Sequence, residues 1–161
     1  MTLDITRSDS VHLLDQTPLV RMLHTDIRDR EASPARFVSS SKRLLRLLVE
    51  ASIGLLPVDE RVVTTPVGRR YTGLQLAKPL CGVSVVRAGE SMETVFREIV
   101  PDAPIGKILI QRDRVTKQPR LYYSHLPPTI ECHAVLLFEP MLATGGSALA
   151  AIDVLVSHGV D

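Results

Sequence analysis

Ala134-Val-Leu-Leu-Phe138 is an unbroken apolar run that passes, through a single loop, into a helical stretch. No polar residue alternates with the apolar ones, so the strand it predicts is covered on both faces. Cys81-Gly-Val-Ser-Val-Val86 has the same character. It leads through Arg87-Ala-Gly-Glu-Ser into Met92, Val95, Phe96, Ile99 and Val100 at helical spacing, closed by Pro101. Ile105–Gln111 predicts a third strand, with Leu121–Tyr123 as its hairpin partner and residues 112–120 as a polar, mobile tip or flap. Alternating strands and helices imply an α/β fold: a mostly parallel central sheet, flanked by helices and joined by right-handed crossovers. A chain of 161 residues, 45% apolar and 23% charged, fits one such domain spanning 1–161. Residues 1–32 read as an N-terminal extension and 33–161 as the α/β core.

The remaining stretches are less patterned. Residues 1–10 are polar and expected to be loose. Leu19–Asp29 is mixed, with His24 and Arg28 in a charged stretch, and receives no element. Ser33-Pro34 reads as N-cap and first helical residue. Phe37, Val38, Leu44, Leu45, Leu48, Ile53 and Leu56 then recur at helical spacing until Pro57. Arg61–Thr65 predicts a strand, and Val67-Gly-Arg-Arg-Tyr-Thr-Gly a turn to its partner. The last helix is expected over Ala148–Ser157, with His158 in its final turn and Gly159 as its C′ residue.

Composition narrows the function. The net charge of +1 gives no global field toward nucleic acid or an anionic membrane. Aromatic residues are 4% of the chain and Trp is absent, which disfavours single-stranded RNA, where bases need stacking platforms. No apolar N-terminal leader and no run of 18 apolar residues occurs. Cys81 and Cys132 lie in apolar runs and read as buried free thiols of a reducing compartment. A cytoplasmic protein is expected. Arg outnumbers Lys by 15 to 4, which suits bidentate contacts to phosphate and equally suits a GC-rich genome.

Three strand ends carry candidate chemistry. Glu139-Pro140-Met141-Leu142-Ala143-Thr144-Gly145-Gly146-Ser147 follows the Ala134–Phe138 strand, placed centrally in the expected sheet. Small residues there let backbone N–H groups approach a phosphate, and the helix start adds partial positive charge. Glu139 suits sugar hydroxyls or an Mg²⁺ shell; the ordinary alternative is a plain connecting turn. Arg87 and Arg112 end the other two strands, with a salt bridge and a solvated hairpin base as their ordinary alternatives. If the strands are neighbours, all three ends converge on one crevice suited to a ligand with several phosphates. Neither the Walker A nor the GxGxxG pattern occurs.

Val-Arg-Ala-Gly-Glu-Ser-Met (86–92), Gly-Lys-Ile-Leu-Ile-Gln-Arg-Asp (106–113) and Glu-Pro-Met-Leu-Ala-Thr-Gly-Gly-Ser (139–147) together resemble uracil phosphoribosyltransferases of the eukaryotic type. Leu23-His-Thr and Arg28-Asp-Arg-Glu-Ala-Ser fit the same family. The resemblance implies a type I phosphoribosyltransferase fold. It also implies transfer of ribose 5-phosphate from phosphoribosyl pyrophosphate to uracil, giving UMP and pyrophosphate, with Mg²⁺ held mainly through substrate. It assigns Glu139–Ser147 to the ribose and 5′-phosphate, and Arg87 and Arg112 to pyrophosphate, with no protein nucleophile. It suggests a homo-oligomer and an allosteric GTP site including Arg43 and Lys78. Glu139 stands where the family usually has Asp. The family continues beyond the equivalent of Asp161 with its uracil-recognising segment, so a C-terminally incomplete, weakly active chain is one expectation. A non-catalytic phosphoribosyl pyrophosphate-binding or assembly homologue is the alternative.

Overall fold

The computed structural model describes residues 11–113 and 118–161. The expected loose terminus, residues 1–10, and the centre of the expected flap tip, residues 114–117, lie outside the described residues. The chain divides into two compact units, Met1–Ala51 and Ser52–Asp161.

In the first unit, α1 (Pro18–Arg28) corrects the unassigned Leu19–Asp29 stretch. Thr17 caps it: its Oγ1 accepts from the Val20 N–H at 3.3 Å, and Pro18 takes the first turn, where no N–H is needed. α2 (Pro34–Ile53) starts where its cap predicts, with the Arg36 N–H donating to Ser33 Oγ at 3.3 Å. It ends before Leu56: the Leu55 and Leu56 N–H groups bond back three residues, to Ser52 and Ile53 carbonyls. Asp26 joins the two helices. Its carboxylate accepts from Ser40 Oγ at 2.7 Å and meets the Arg36 guanidinium at 2.6 Å. Ser40, Val20, Leu23 and Val49 are buried, whereas Phe37 and Val38 of the expected apolar face are exposed.

The second unit opens with an antiparallel pair, β1 (Val58–Thr64) and β2 (Arg70–Leu76). Its turn places Gly68 at φ +74°, a backbone conformation that costs a side chain energy. β3 (Leu80–Val86), α3 (Glu90–Ile99), β4 (Ile105–Arg112), β5 (Pro119–His125), β6 (Ala134–Phe138) and α4 (Gly146–Ser157) follow. The four later strands form one sheet in the order β5-β4-β3-β6. β3 runs parallel to β4 and to β6, and β5 is antiparallel to β4. The α/β class and the mostly parallel sheet are as expected. Among the described strands the inner places belong to β4 and β3, however; β6 pairs with β3 alone.

β3 is buried along almost its whole length, the condition its lack of polar alternation predicts. Cys81, Val83 and Val85 pack with Ile108, Ile110, Ile130, Ala151 and Leu155, which puts α4 on that face. Gly82 faces the other way, against Phe96 of α3 and Phe138 of β6, whose rings meet edge-on with centroids 5.2 Å apart. α4 ends on Gly159 at φ +81°, with the Val160 N–H returning to the Leu155 carbonyl and the Gly159 N–H to Val156. That double return is the glycine cap its sequence predicts. Cys81 is buried, but Cys132 is exposed, against expectation: it sits in a short helical turn (Ile130–Cys132) outside the sheet.

Candidate functional site

Parallel pairing fixes where chemistry can collect. β3, β4 and β6 point the same way and are adjacent, so their carboxyl ends, at Val86, Arg112 and Phe138, line one edge of the sheet. Ligands of open α/β sheets bind there. The condition set by the sequence, that the three strands be neighbours, holds.

The turn 87–89 folds back over this edge. The Gly89 N–H donates to the Val85 carbonyl at 2.9 Å. A Cβ on Gly89 would stand 2.2 Å from the Phe138 carbonyl oxygen. Gly89 has helical dihedrals, φ −58° and ψ −27°, so glycine is required here for close approach and not for a left-handed conformation. The Val86–Arg87 peptide is cis. Arg87 is exposed, and its side chain has no polar partner among the described residues.

Arg112 reaches the loop that follows β6. Its guanidinium donates to Thr144 Oγ1 at 2.8 Å. Because β3 lies between β4 and β6, this bond spans the carboxyl end of β3. Pro119, which begins β5, also stands beside Gly146, so the base of the β4–β5 hairpin adjoins the start of α4. In the loop itself, Glu139 is half-buried and its Oε1 accepts from the Met141 N–H at 3.3 Å. Gly145 adopts φ +75° and places the loop under α4. The N–H groups of Leu142, Ala143, Thr144 and Gly145 make no hydrogen bond among the described residues. Free donors ahead of a helix N-terminus are the arrangement that receives an anion.

Thus the structure brings together Arg112 and Thr144 by contact, and places Arg87 and Glu139–Ser147 on the same edge. Lys78, in the bend between β2 and β3, lies at the opposite, amino-terminal edge of the sheet. There it pairs with Asp161 at 3.3 Å and borders a cleft of about 530 Å³. Arg43 is an exposed residue of α2 in the other unit, where its charge helps hold the Asp26 carboxyl below its ordinary 3.8; the Ser40 hydrogen bond is the larger cause.

One pair was not visible as a site from the sequence. Lys107 Nζ meets Glu90 Oε1 at 2.6 Å and Glu93 Oε1 at 3.4 Å. The hydrogen bond that Lys107 donates to Glu90, then the neighbouring Glu93 charge, raise the lysine above its ordinary 10.5 against the effect of burial. The available signal was a lone lysine in the middle of an apolar strand.

The family model for uracil phosphoribosyltransferase matches residues 14–161. The chain belongs to the uracil phosphoribosyltransferase family. This is a family of transferase enzymes, and the matched residues span the whole edge just described. The uracil phosphoribosyltransferase of Dictyostelium discoideum is 45% identical over 152 residues, covering 94% of this chain and 70% of that protein. That of Saccharomyces cerevisiae is 45% identical over 151 residues, with the same coverage of 94% and 70%. A uracil phosphoribosyltransferase homolog of Gallus gallus is 45% identical over 148 residues, covering 92% of this chain and 53% of its own length. Among solved structures, the AQ2163 protein of Aquifex aeolicus superposes with a TM-score of 0.77 at 28% identity, over 93% of this chain and 71% of that one. These relatives are thus longer than the 161 residues here. No described helix is long and apolar enough to cross a membrane.

Proposed function

We propose that this chain binds phosphoribosyl pyrophosphate along the carboxyl edge of β3, β4 and β6 and serves the transfer of its ribose 5-phosphate group to uracil, giving UMP and pyrophosphate in pyrimidine salvage. The observation that carries the reading is the Arg112–Thr144 bond at 2.8 Å, which joins an arginine to an anion-receiving loop across the end of β3. In this reading the free N–H groups of Leu142–Gly145, the Thr144 and Ser147 hydroxyls and the start of α4 receive the 5′-phosphate. Glu139 accepts from the ribose hydroxyls. Arg87 and Arg112 hold the pyrophosphate, where their fixed forks favour oxygen pairs.

The reaction forms the bond from the base nitrogen to the ribose carbon and breaks that carbon's bond to pyrophosphate, while the nitrogen's proton passes to solvent or to the departing pyrophosphate. The ribose centre gains positive charge and the departing oxygen gains negative charge. Arginines placed at the departing group stabilise that charge as it develops, and no protein nucleophile is needed. In this reading Mg²⁺ is carried by the substrate rather than caged by protein side chains. Mg²⁺ prefers waters and phosphate oxygens in this way, with Glu139 as the loop's own carboxylate. When bound, it would neutralise charge on the pyrophosphate.

The test is calorimetric titration of phosphoribosyl pyrophosphate with Mg²⁺ into the chain and into Arg87→Ala. Binding that weakens about tenfold or more in the variant is expected, because a charge-assisted contact is lost. Equal binding by both would refute the assignment.

A further inference from the structure

Two residues of the sequence motifs have no part in that reading: Glu90 of Val86–Met92 and Lys107 of Gly106–Asp113. The fold joins them to each other, Nζ to Oε1, at 2.6 Å. Glu90 is the first residue of α3, directly after the turn that carries Arg87. Lys107 lies on β4, in register with Ser84 of β3, on the strand that ends at Arg112. The pair therefore links the element bearing one proposed pyrophosphate arginine to the element bearing the other. Polar groups adjoin the pair, whose two side chains are each 41% exposed. Ser84 is fully buried and its Oγ has no hydrogen-bond partner among the described residues; Glu93 Oε1, one helical turn from Glu90, is buried and among them meets only the Lys107 charge. Lys107 thus has Glu93 as a second carboxylate at 3.4 Å, so two alternative anchors lie on one helix.

We propose that the Lys107–Glu90 pair positions the Arg87 turn relative to Arg112, so that both arginines meet one pyrophosphate group; the proposal rests on the pyrophosphate reading above. Lys107 and Glu90 are positioning residues in this account and touch no substrate. Electrostatics alone makes the opposite forecast for one variant. Glu90→Gln removes a negative charge three residues from Arg87, which on charge alone strengthens anion binding. Positioning requires that the same change weaken it, because Lys107 then swings to Glu93 and the turn loses its tie to β4.

The experiment titrates inorganic pyrophosphate and, separately, ribose 5-phosphate into the unaltered chain, Glu90→Gln, Lys107→Met and the exchanged pair Lys107→Glu with Glu90→Lys. Thermal melting checks that each variant folds; Glu93 leaves Lys107 a partner in Glu90→Gln. The expected result is a loss of about fivefold or more in pyrophosphate affinity for both single variants, since displacements near 1 Å are costly at such sites. Ribose 5-phosphate, received by the loop 139–147, should change by less than about twofold, and the exchanged pair should recover part of the loss. Tighter pyrophosphate binding by Glu90→Gln, equal losses for both ligands, or no change in either would overturn the proposal. Failure of the unaltered chain to bind either ligand would instead overturn the underlying reading, and the proposal with it.

Discussion

Gly89→Ala should disable the site while leaving every proposed ligand contact residue in place. The new Cβ would lie 2.2 Å from the Phe138 carbonyl oxygen and 2.8 Å from both the N and the O of Val85. Ordinary contact begins near 3.4 Å, so the chain must open by about 1.2 Å at Phe138 alone. All the obstructing atoms are backbone, and no side chain can swing aside. Phe138 is 2% exposed and Val85 3%, so neither strand end has slack. Overpacking of this kind costs about 1–3 kcal/mol. For a chain of this size that is roughly 2–4 °C in melting temperature per kcal/mol. The larger effect is geometric. Phe138 immediately precedes Glu139, and Gly89 follows Arg87 by two residues, so the forced gap separates the two parts of the proposed site. Misplacement by ~1 Å can cost ~100-fold in turnover, and a loss of about tenfold or more in phosphoribosyl pyrophosphate affinity is expected. Gly73→Ala is the control: its Cβ meets the ring of Tyr71 at 2.9 Å, and that exposed ring can move. Calorimetry and thermal melting on both variants decide the matter. If Gly89→Ala binds and melts like Gly73→Ala, the close approach has no functional weight and the reasoning fails.

Thr144→Val removes the hydroxyl that receives Arg112 while keeping the branched shape. Combined with Arg112→Ala in a double-mutant cycle on phosphoribosyl pyrophosphate affinity, it should show coupling of about 0.5–3 kcal/mol; strictly additive losses would contradict a shared site. Asp26 sets a pH dependence. Its carboxyl titrates below its ordinary 3.8 because Ser40 and Arg36 hydrogen-bond the charged form. The stabilisation is therefore complete above pH 3.8 and is lost as pH falls through the lowered folded value. The melting difference between the unaltered chain and Asp26→Asn should be constant from neutral pH to about 4 and shrink below it. A difference that grows on acidification would reverse the assigned sign.

Much of this edge could be read from the chain because its signals are local. β3 and β6 declare themselves as apolar runs, α3 by the spacing of Met92, Val95 and Phe96, and the end of α4 by Gly159. α1 was missed although Thr17-Pro18 is the same cap-and-proline start as Ser33-Pro34. Arg21, His24, Asp26 and Arg28 interrupt its apolar spacing, and its buried stripe is narrow, only Val20 and Leu23. What depends on which strands are neighbours was out of reach. The sequence could state only that Arg87, Arg112 and Glu139 would converge if their strands were adjacent, and its apolar run suggests a central β6, whereas among the described strands β4 and β3 are the inner pair. The close approach of Gly89 to Phe138 and the Lys107–Glu90 pair join residues 49 and 17 positions apart, and no local pattern encodes either. Cys132 misled for a related reason: apolar neighbours in sequence do not bury a residue that lies in a turn outside the sheet.

The claim that phosphates are received at the carboxyl edge of β3, β4 and β6 is tested most directly by amide chemical shifts. Phosphoribosyl pyrophosphate with Mg²⁺ would be titrated into the ¹⁵N-labelled chain. The account predicts saturable shifts concentrated at Leu142–Ser147, Arg87–Glu90 and Arg112, with little change at the amino-terminal edge around Gln75–Leu80. Shifts centred on the cleft beside Lys78, or no saturable shift at Leu142–Ser147, would contradict it.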